Sequence, residues 1–169
     1  YKALLPLEDE GNIVSLKEGG TPLVKLDNLA KEYNAPSVFA KDETRNPTGS
    51  FKDRPTSVGM SKAIELGAEM FVIASSGNGG ASVAGYAAKA GLKSFIFVPE
   101  NTPVSKVSQA VTYGGQVVRV KGNYSNSYRL AMEVSKKYNC ANLTSTFLNP
   151  YTRDTSNWKS WDWLTKFHQ

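Results

Sequence analysis

Between residues 36 and 144 short apolar runs alternate with longer segments of helical character, and this alternation limits the fold more than any other feature of the chain. Ser37-Val38-Phe39-Ala40 reads as a strand. Thr56 to Leu66 reads as a helix closed by Gly67, and Met70 to Ala74 as a buried strand. Ala81 to Ala90 is an alanine-rich helix with Gly91 just beyond it, where a left-handed residue ends a helix. Ser94 to Val98 is another buried strand, Ser105 to Tyr113 a helix ended by Gly114-Gly115, and Gln116 to Val120 a strand. Ser125 to Tyr138 is a helix with Leu130, Val134 and Tyr138 four apart on one face. Ala141 to Thr144 is a short last strand. Strands and helices joined by short connections build βαβ units with a parallel sheet between helical layers. The expected fold class is therefore α/β, a three-layer αβα arrangement with a mainly parallel sheet of about four strands.

The flanks differ from this middle. Residues 1–35 are mixed, with Gly19-Gly20-Thr21-Pro22-Leu23 as a turn before a helix at Asp27 to Tyr33. Residues 149–169 hold Trp158, Trp161 and Trp163, whose spacing makes no single helical face. The expected organisation is an N-terminal segment (1–35) that would pack on a missing larger domain, an α/β domain (36–148) and a divergent Trp-rich tail (149–169). The chain has 169 residues, 40% of them hydrophobic and 21% charged, which suits a globular domain. Its net charge is +5 with the positive residues dispersed, which argues against nucleic-acid binding and suits a small anionic substrate. Met70 to Ala74 is too short to span a membrane, and Tyr1 to Asn12 lacks a basic region followed by an apolar one. A single cysteine, Cys140, excludes an intrachain disulfide and a multi-cysteine metal site. A cytoplasmic protein that uses no metal is the expectation.

Two motifs carry chemistry. In Asn46-Pro47-Thr48-Gly49-Ser50-Phe51-Lys52-Asp53-Arg54, a lysine follows a Pro-Thr-Gly turn at the start of a helical segment. The positive end of a helix disfavours a cation, so the amine of Lys52 should release its proton readily and attack an aldehyde to form a Schiff base. Pro55 qualifies this, because a helix starting there leaves Lys52 in a turn ahead of it. The second motif, Ser75-Ser76-Gly77-Asn78-Gly79-Gly80-Ala81-Ser82, joins a buried strand to a helix. Strand ends of this kind bind ligands, and the free amides of a helix start suit a carboxylate or phosphate. The same run also reads as ordinary turn chemistry.

Taken together, the two motifs resemble the fold type II pyridoxal-phosphate enzymes, and Asn46 to Arg54 is most similar to the threonine synthases. The similarity runs on through Gly19 to Leu23, Ala40-Lys41-Asp42-Glu43, Ser61-Lys62-Ala63, Lys106-Val107-Ser108-Gln109 and Asn149-Pro150-Tyr151. The resemblance implies the smaller domain of such an enzyme, with pyridoxal 5'-phosphate as cofactor. Lys52 would be the catalytic, Schiff-base lysine and Asn78 would hydrogen-bond the cofactor's ring hydroxyl. Ser75, Ser76, Gly77 and Asn78 would hold the substrate carboxylate, with O-phosphohomoserine as substrate and threonine and phosphate as products. Gly79 and Gly80 stand where threonine synthases often carry hydroxyl residues, which should loosen that loop. After Tyr151 the match fades, and no glycine-rich cup for the cofactor phosphate follows. The chain thus reads as a truncated threonine synthase-like lyase, inactive or weakly active alone, whose uncovered apolar surface favours a homo-oligomer. A serine or threonine dehydratase is the alternative enzyme, and a non-catalytic interaction module the alternative from another class. Lys106 and Gln109 read as a solvated helix face, Cys140 as a small core residue, and His168 as a tail residue without a role in Ser-His-Asp catalysis.

Overall fold

The computed structural model describes residues 5–144, so Asn149-Pro150-Tyr151, the Trp-rich segment and His168 lie outside the described residues. Leu23–Lys25 (β1) and Phe39–Lys41 (β2) pair antiparallel on either side of the helix Asp27–Glu32 (α1). Then follow Asp53–Glu65 (α2), Met70–Ala74 (β3), Asn78–Ala90 (α3), Lys93–Pro99 (β4), Val104–Thr112 (α4), Gln116–Val120 (β5), Tyr124–Tyr138 (α5) and Ala141–Asn142 (β6). The four strands from β3 onward form one parallel sheet in the order β5-β4-β3-β6.

Alternate side chains of these strands face opposite layers, and both layers are apolar. Phe71, Ile73, Ile96 and Val98 pack with Met60, Val83, Tyr86, Val107 and Ala110 from α2, α3 and α4. Val72, Ala74 and Phe97 pack on the other side with Ala131 and Cys140, beside Tyr128, Leu130 and Val134 of α5. This is the three-layer αβα architecture that the alternation predicts. The strand read at 37–40 forms at Phe39–Lys41 and lies outside the parallel sheet. Its ribbon exposes Leu23, Val24 and Phe39, so it lacks the two covered faces that a parallel strand requires.

Local boundaries correct two readings. Helix α3 begins at Asn78, not Ala81, and Gly79 and Gly80 are buried in its first turn. They do not loosen a loop: a Cβ on Gly80 would sit 2.9 Å from both Ile96 Cγ2 and the Ser75 carbonyl, so glycine lets α3 close on the sheet. Lys106 and Gln109 are both exposed, as expected of a solvated face, and Gln109 Nε2 also donates to the Thr48 carbonyl at 2.9 Å. The N-terminal segment packs on α2 and α3. The Val14 N–H donates to Ser61 Oγ at 2.9 Å, Ser57 Oγ donates to the Val14 carbonyl at 2.8 Å, and the Tyr86 hydroxyl donates to Glu18 at 2.6 Å.

A charged cluster fixes the approach to α2. Arg54 meets Glu43 with both arms of its guanidinium, at 2.8 and 2.9 Å, while Thr21 and Asn46 also donate to Glu43. Lys41 donates to the Thr21 carbonyl. Burial alone would raise the Glu43 pKa, but the hydrogen bonds from Arg54, Thr21 and Asn46 outweigh it and, with the Arg54 charge, hold it at about 2.

Two outcomes test this packing. In Gly115→Ala the new Cβ would lie 2.6 Å from Ile96 Cδ1, 2.8 Å from Ala84 Cβ and 2.9 Å from the Ala110 carbonyl. Overpacking of this kind costs about 1–3 kcal/mol, read as a lower urea midpoint at unchanged slope. For Glu43, the folded pKa lies below the unfolded one, so its contribution is present above the ordinary glutamate range and lost as pH falls. The stability difference between wild type and Glu43→Gln, from urea melts, should therefore shrink between about pH 5 and pH 2.

Candidate active site

The strand order places the site. From β3 the sheet grows through β4 to β5 on one side, with α3 and α4 on one face. Helix α5 then returns across the other face, and β6 adds to the opposite edge of β3. The carboxyl end of β3 is thus where the winding reverses, the place where open α/β sheets form ligand crevices.

A cleft of about 200 Å³ lies there, lined by Ile73 and Ala74 of β3, Ser75, Ser76 and Gly77 of the turn, and Gly79 of α3. Lys52, Pro55 and Thr56 close it from α2, Tyr124 from α5, and Leu143 from the segment after β6. The floor is fixed on three sides. The Ala74 N–H donates to Thr144 Oγ1 at 3.0 Å, the Tyr124 hydroxyl donates to the Ala74 carbonyl at 3.2 Å, and the Ser75 N–H donates to the Phe97 carbonyl at 3.2 Å.

Lys52 is the N-cap of α2, with φ −61° and ψ −19°, and its carbonyl accepts the first α-helical bond, from the Thr56 N–H at 3.1 Å. The helix therefore starts at Asp53. Pro55 falls within its first turn, where the missing N–H leaves no bond unmade. The Lys52 amine is half-buried, and burial pushes its pKa below the ordinary lysine value. The Phe51 ring, 4.9 Å from Nζ, favours the cation and opposes part of that shift. Burial, rather than the helix dipole, is thus the cause of the weakened proton affinity.

Opposite, the turn at Ser75–Gly77 leads into α3. The backbone N–H groups of Ser76, Gly77 and Asn78 have no hydrogen-bond partner among the described residues, as the geometry of a helix start requires. A carboxylate placed there meets free donors and the positive end of a 13-residue helix. Of the expected site residues, Lys52, Ser75, Ser76 and Gly77 all line the cleft. Asn78 is exposed between two lining residues, Gly77 and Gly79, and does not itself line it.

Sequence reasoning missed Thr56, Tyr124 and Leu143. Tyr124 was within reach, since helices that follow parallel strands all begin on the same edge of the sheet. Asn123 and Asn126, which form a capping box, mark that helix start. Leu143 becomes visible only once β6 is known to flank β3. Cys140 is buried, and burial pushes its thiol up, away from the thiolate a nucleophile needs. Among the described residues no group of three or more His, Cys, Asp and Glu could hold a metal ion, and no helix is long and apolar enough to cross a membrane.

Known proteins match both the sequence and this geometry. Residues 14–162 match the family described as pyridoxal-phosphate dependent enzyme. The threonine synthase of Methanocaldococcus jannaschii is 43% identical over 152 residues, covering 89% of this chain and 37% of that protein. That of Halalkalibacterium halodurans is 40% identical over 152 residues, covering 89% of this chain and 42% of that protein. The chain thus spans about two fifths of the length of these relatives. Among solved structures, O-ureido-L-serine synthase superposes with a TM-score of 0.76 at 27% identity, covering 96% of this chain and 52% of that one. The apo diaminopropionate ammonia lyase of Escherichia coli gives 0.74 at 20% identity over 85% of this chain and 45% of that one, a likeness of fold. With Lys52 and the Ser75–Gly77 turn lining one cleft and residues 14–162 matched, the chain belongs to the pyridoxal-phosphate dependent enzymes, whose cofactor is pyridoxal 5'-phosphate.

Proposed function

We propose that this chain carries the attachment lysine and the substrate-carboxylate seat of a threonine synthase-like lyase. The overall reaction converts O-phosphohomoserine and water into threonine and phosphate. One observation carries the reading: Lys52 and the Ser75–Gly77 turn come from separate elements and line one cleft. The threonine synthases that match at 43% and 40% identity support the choice of reaction.

The residues present fit the cofactor. An aldehyde requires a neutral amine, and Lys52 is the one lysine among the described lining residues, with its proton affinity lowered by burial. When bound, pyridoxal phosphate supplies an electron sink for charge that builds up on substrate carbon. This chain's own residues hold, orient and move protons. Lys52 Nζ is the attachment point and, once free, a base and acid beside the substrate. The amides of Ser76, Gly77 and Asn78 take the substrate carboxylate and fix which bond faces Lys52. The Asn78 side chain, able to donate and accept, would reach the cofactor's ring hydroxyl from the exposed rim between Gly77 and Gly79. The cleft is smaller than the roughly 300–1,000 Å³ of a typical ligand pocket. The cofactor's phosphate would need donors beyond these lining residues.

The test is reductive trapping. Incubation of the chain with pyridoxal phosphate, reduction with borohydride and peptide mapping should place one adduct, on Lys52. It should form at a lower pH than adducts of solvent-exposed lysines, because burial lowers the Lys52 pKa. Lys52→Ala should abolish the adduct without loss of thermal stability. A depressed lysine pKa penalises the folded state while the amine is protonated, and the penalty is relieved only as pH rises toward the unfolded value. Labelling scattered over many lysines, or none, would sink the proposal.

A further inference from the structure

Asp53 follows Lys52 and is fully buried. As the first residue of α2 it could accept from the amides of its own helix, the usual use of an acid at that position. Its carboxylate turns the other way. Oδ2 accepts from the Thr48 N–H at 2.7 Å, and Oδ1 accepts from the Thr48 hydroxyl and from Ser82 Oγ, the latter at 2.7 Å. Ser82 is fully buried and lies one turn into α3, the helix whose start is the anion seat. Thr48 is held in turn by Gln109 of α4 on its carbonyl, and its methyl lies 3.2 Å from where a Cβ of Gly85 would stand. A buried carboxylate is tolerated only when donors surround it, and here they come from the loop and from α3.

We propose that Asp53 is a positioning residue: its carboxylate ties Thr48 to Ser82, closes the loop 49–52 between Thr48 and Asp53, and so fixes Lys52 against the Ser75–Gly77 turn. The inference rests on the reading of Lys52 as the attachment lysine. Three donors converge on Asp53, and asparagine would turn an NH₂ toward at least one of them. In Asp53→Asn the loop should loosen and Lys52 should gain solvent. Few charged groups complicate the readout. Among the described residues, Tyr124 of α5 is the one other titratable lining residue of the cleft, and β3, the turn after it and α3 contribute only Ile, Ala, Ser and Gly. On the flanks of Lys52, Arg54 is engaged with Glu43, and the Phe51 ring is uncharged. The variants alter none of these residues.

The test uses a reagent that needs no cofactor. Trace acetylation across a pH series, followed by peptide mass spectrometry, gives the titration midpoint of Lys52 in the full chain, in Asp53→Asn and in Ser82→Ala, each checked for folding by circular dichroism. The midpoint should rise in Asp53→Asn, so that the neutral fraction of Lys52 at fixed pH falls at least about threefold. Ser82→Ala should show a smaller rise of the same sign, and the reactivity of Lys121 should not change. Loss of a neighbouring negative charge alone would act the opposite way and lower the midpoint. A fall in Asp53→Asn, or an unchanged midpoint in the folded variants, overturns the proposal. If Asp53→Asn does not fold, Ser82→Ala decides. Failure of pyridoxal phosphate to trap Lys52 in wild type, with the midpoint shifts intact, counts against the enzyme reading and leaves the role of Asp53 standing.

Discussion

A parallel sheet covered by helices on both faces has no room for polar chemistry except at the ends of its strands. Here α2, α3 and α4 close one face and α5 the other, so the carboxyl edge of β3 is where backbone donors and buried side chains can meet a ligand. The anion seat of α3 and the phenol of Tyr124 follow from that constraint. Lys52 reaches the same edge from α2, which precedes the sheet in the chain. The cleft is therefore a product of sheet topology, and its chemistry comes from the residues that topology delivers.

Rigidity at this edge comes from buried polar groups rather than from apolar packing. Ala74 and Ser75 are tied to Thr144, Tyr124 and Phe97, which holds the floor of the cleft. Asp53 ties the lysine-bearing loop to α3, and the Glu43–Arg54 cluster ties α2 to the segment at Thr21. Each tie satisfies a buried donor or acceptor that would otherwise destabilise the fold, so positioning the site and stabilising the domain are served by the same bonds. The amine of Lys52 is the exception. Its burial works against its charged form, which is the property a nucleophilic amine requires.

The α/β class and the strands at 70–74, 94–98 and 116–120 were legible because their apolar runs are short, β-rich and bounded by glycine. That Lys52 and the Ser75–Gly77 turn share one cleft was expected from the pairing of the two motifs, since either run alone also reads as ordinary cap or turn chemistry. What stayed hidden depended on tertiary contact. The strand at 37–40 looked like the others, but among the described residues its ribbon leaves Leu23, Val24 and Phe39 exposed. Gly79 and Gly80 looked like loop residues until the closeness of Ile96 gave the reason for Gly80. Only the fold shows that the Asp53 carboxylate turns toward Thr48 and Ser82. Tyr124 and Leu143 needed the strand order before they could be placed at the site.

If Lys52 and the Ser75–Gly77 turn act on one ligand, both must touch it at once. A crystal structure of the chain with borohydride-fixed pyridoxal phosphate and an unreactive, carboxylate-bearing substrate analogue tests this most directly. The account requires continuous density from Lys52 Nζ to the cofactor, with the analogue's carboxylate against the amides of Ser76 and Gly77. Density joined to another lysine, or a carboxylate bound away from the start of α3, would contradict it.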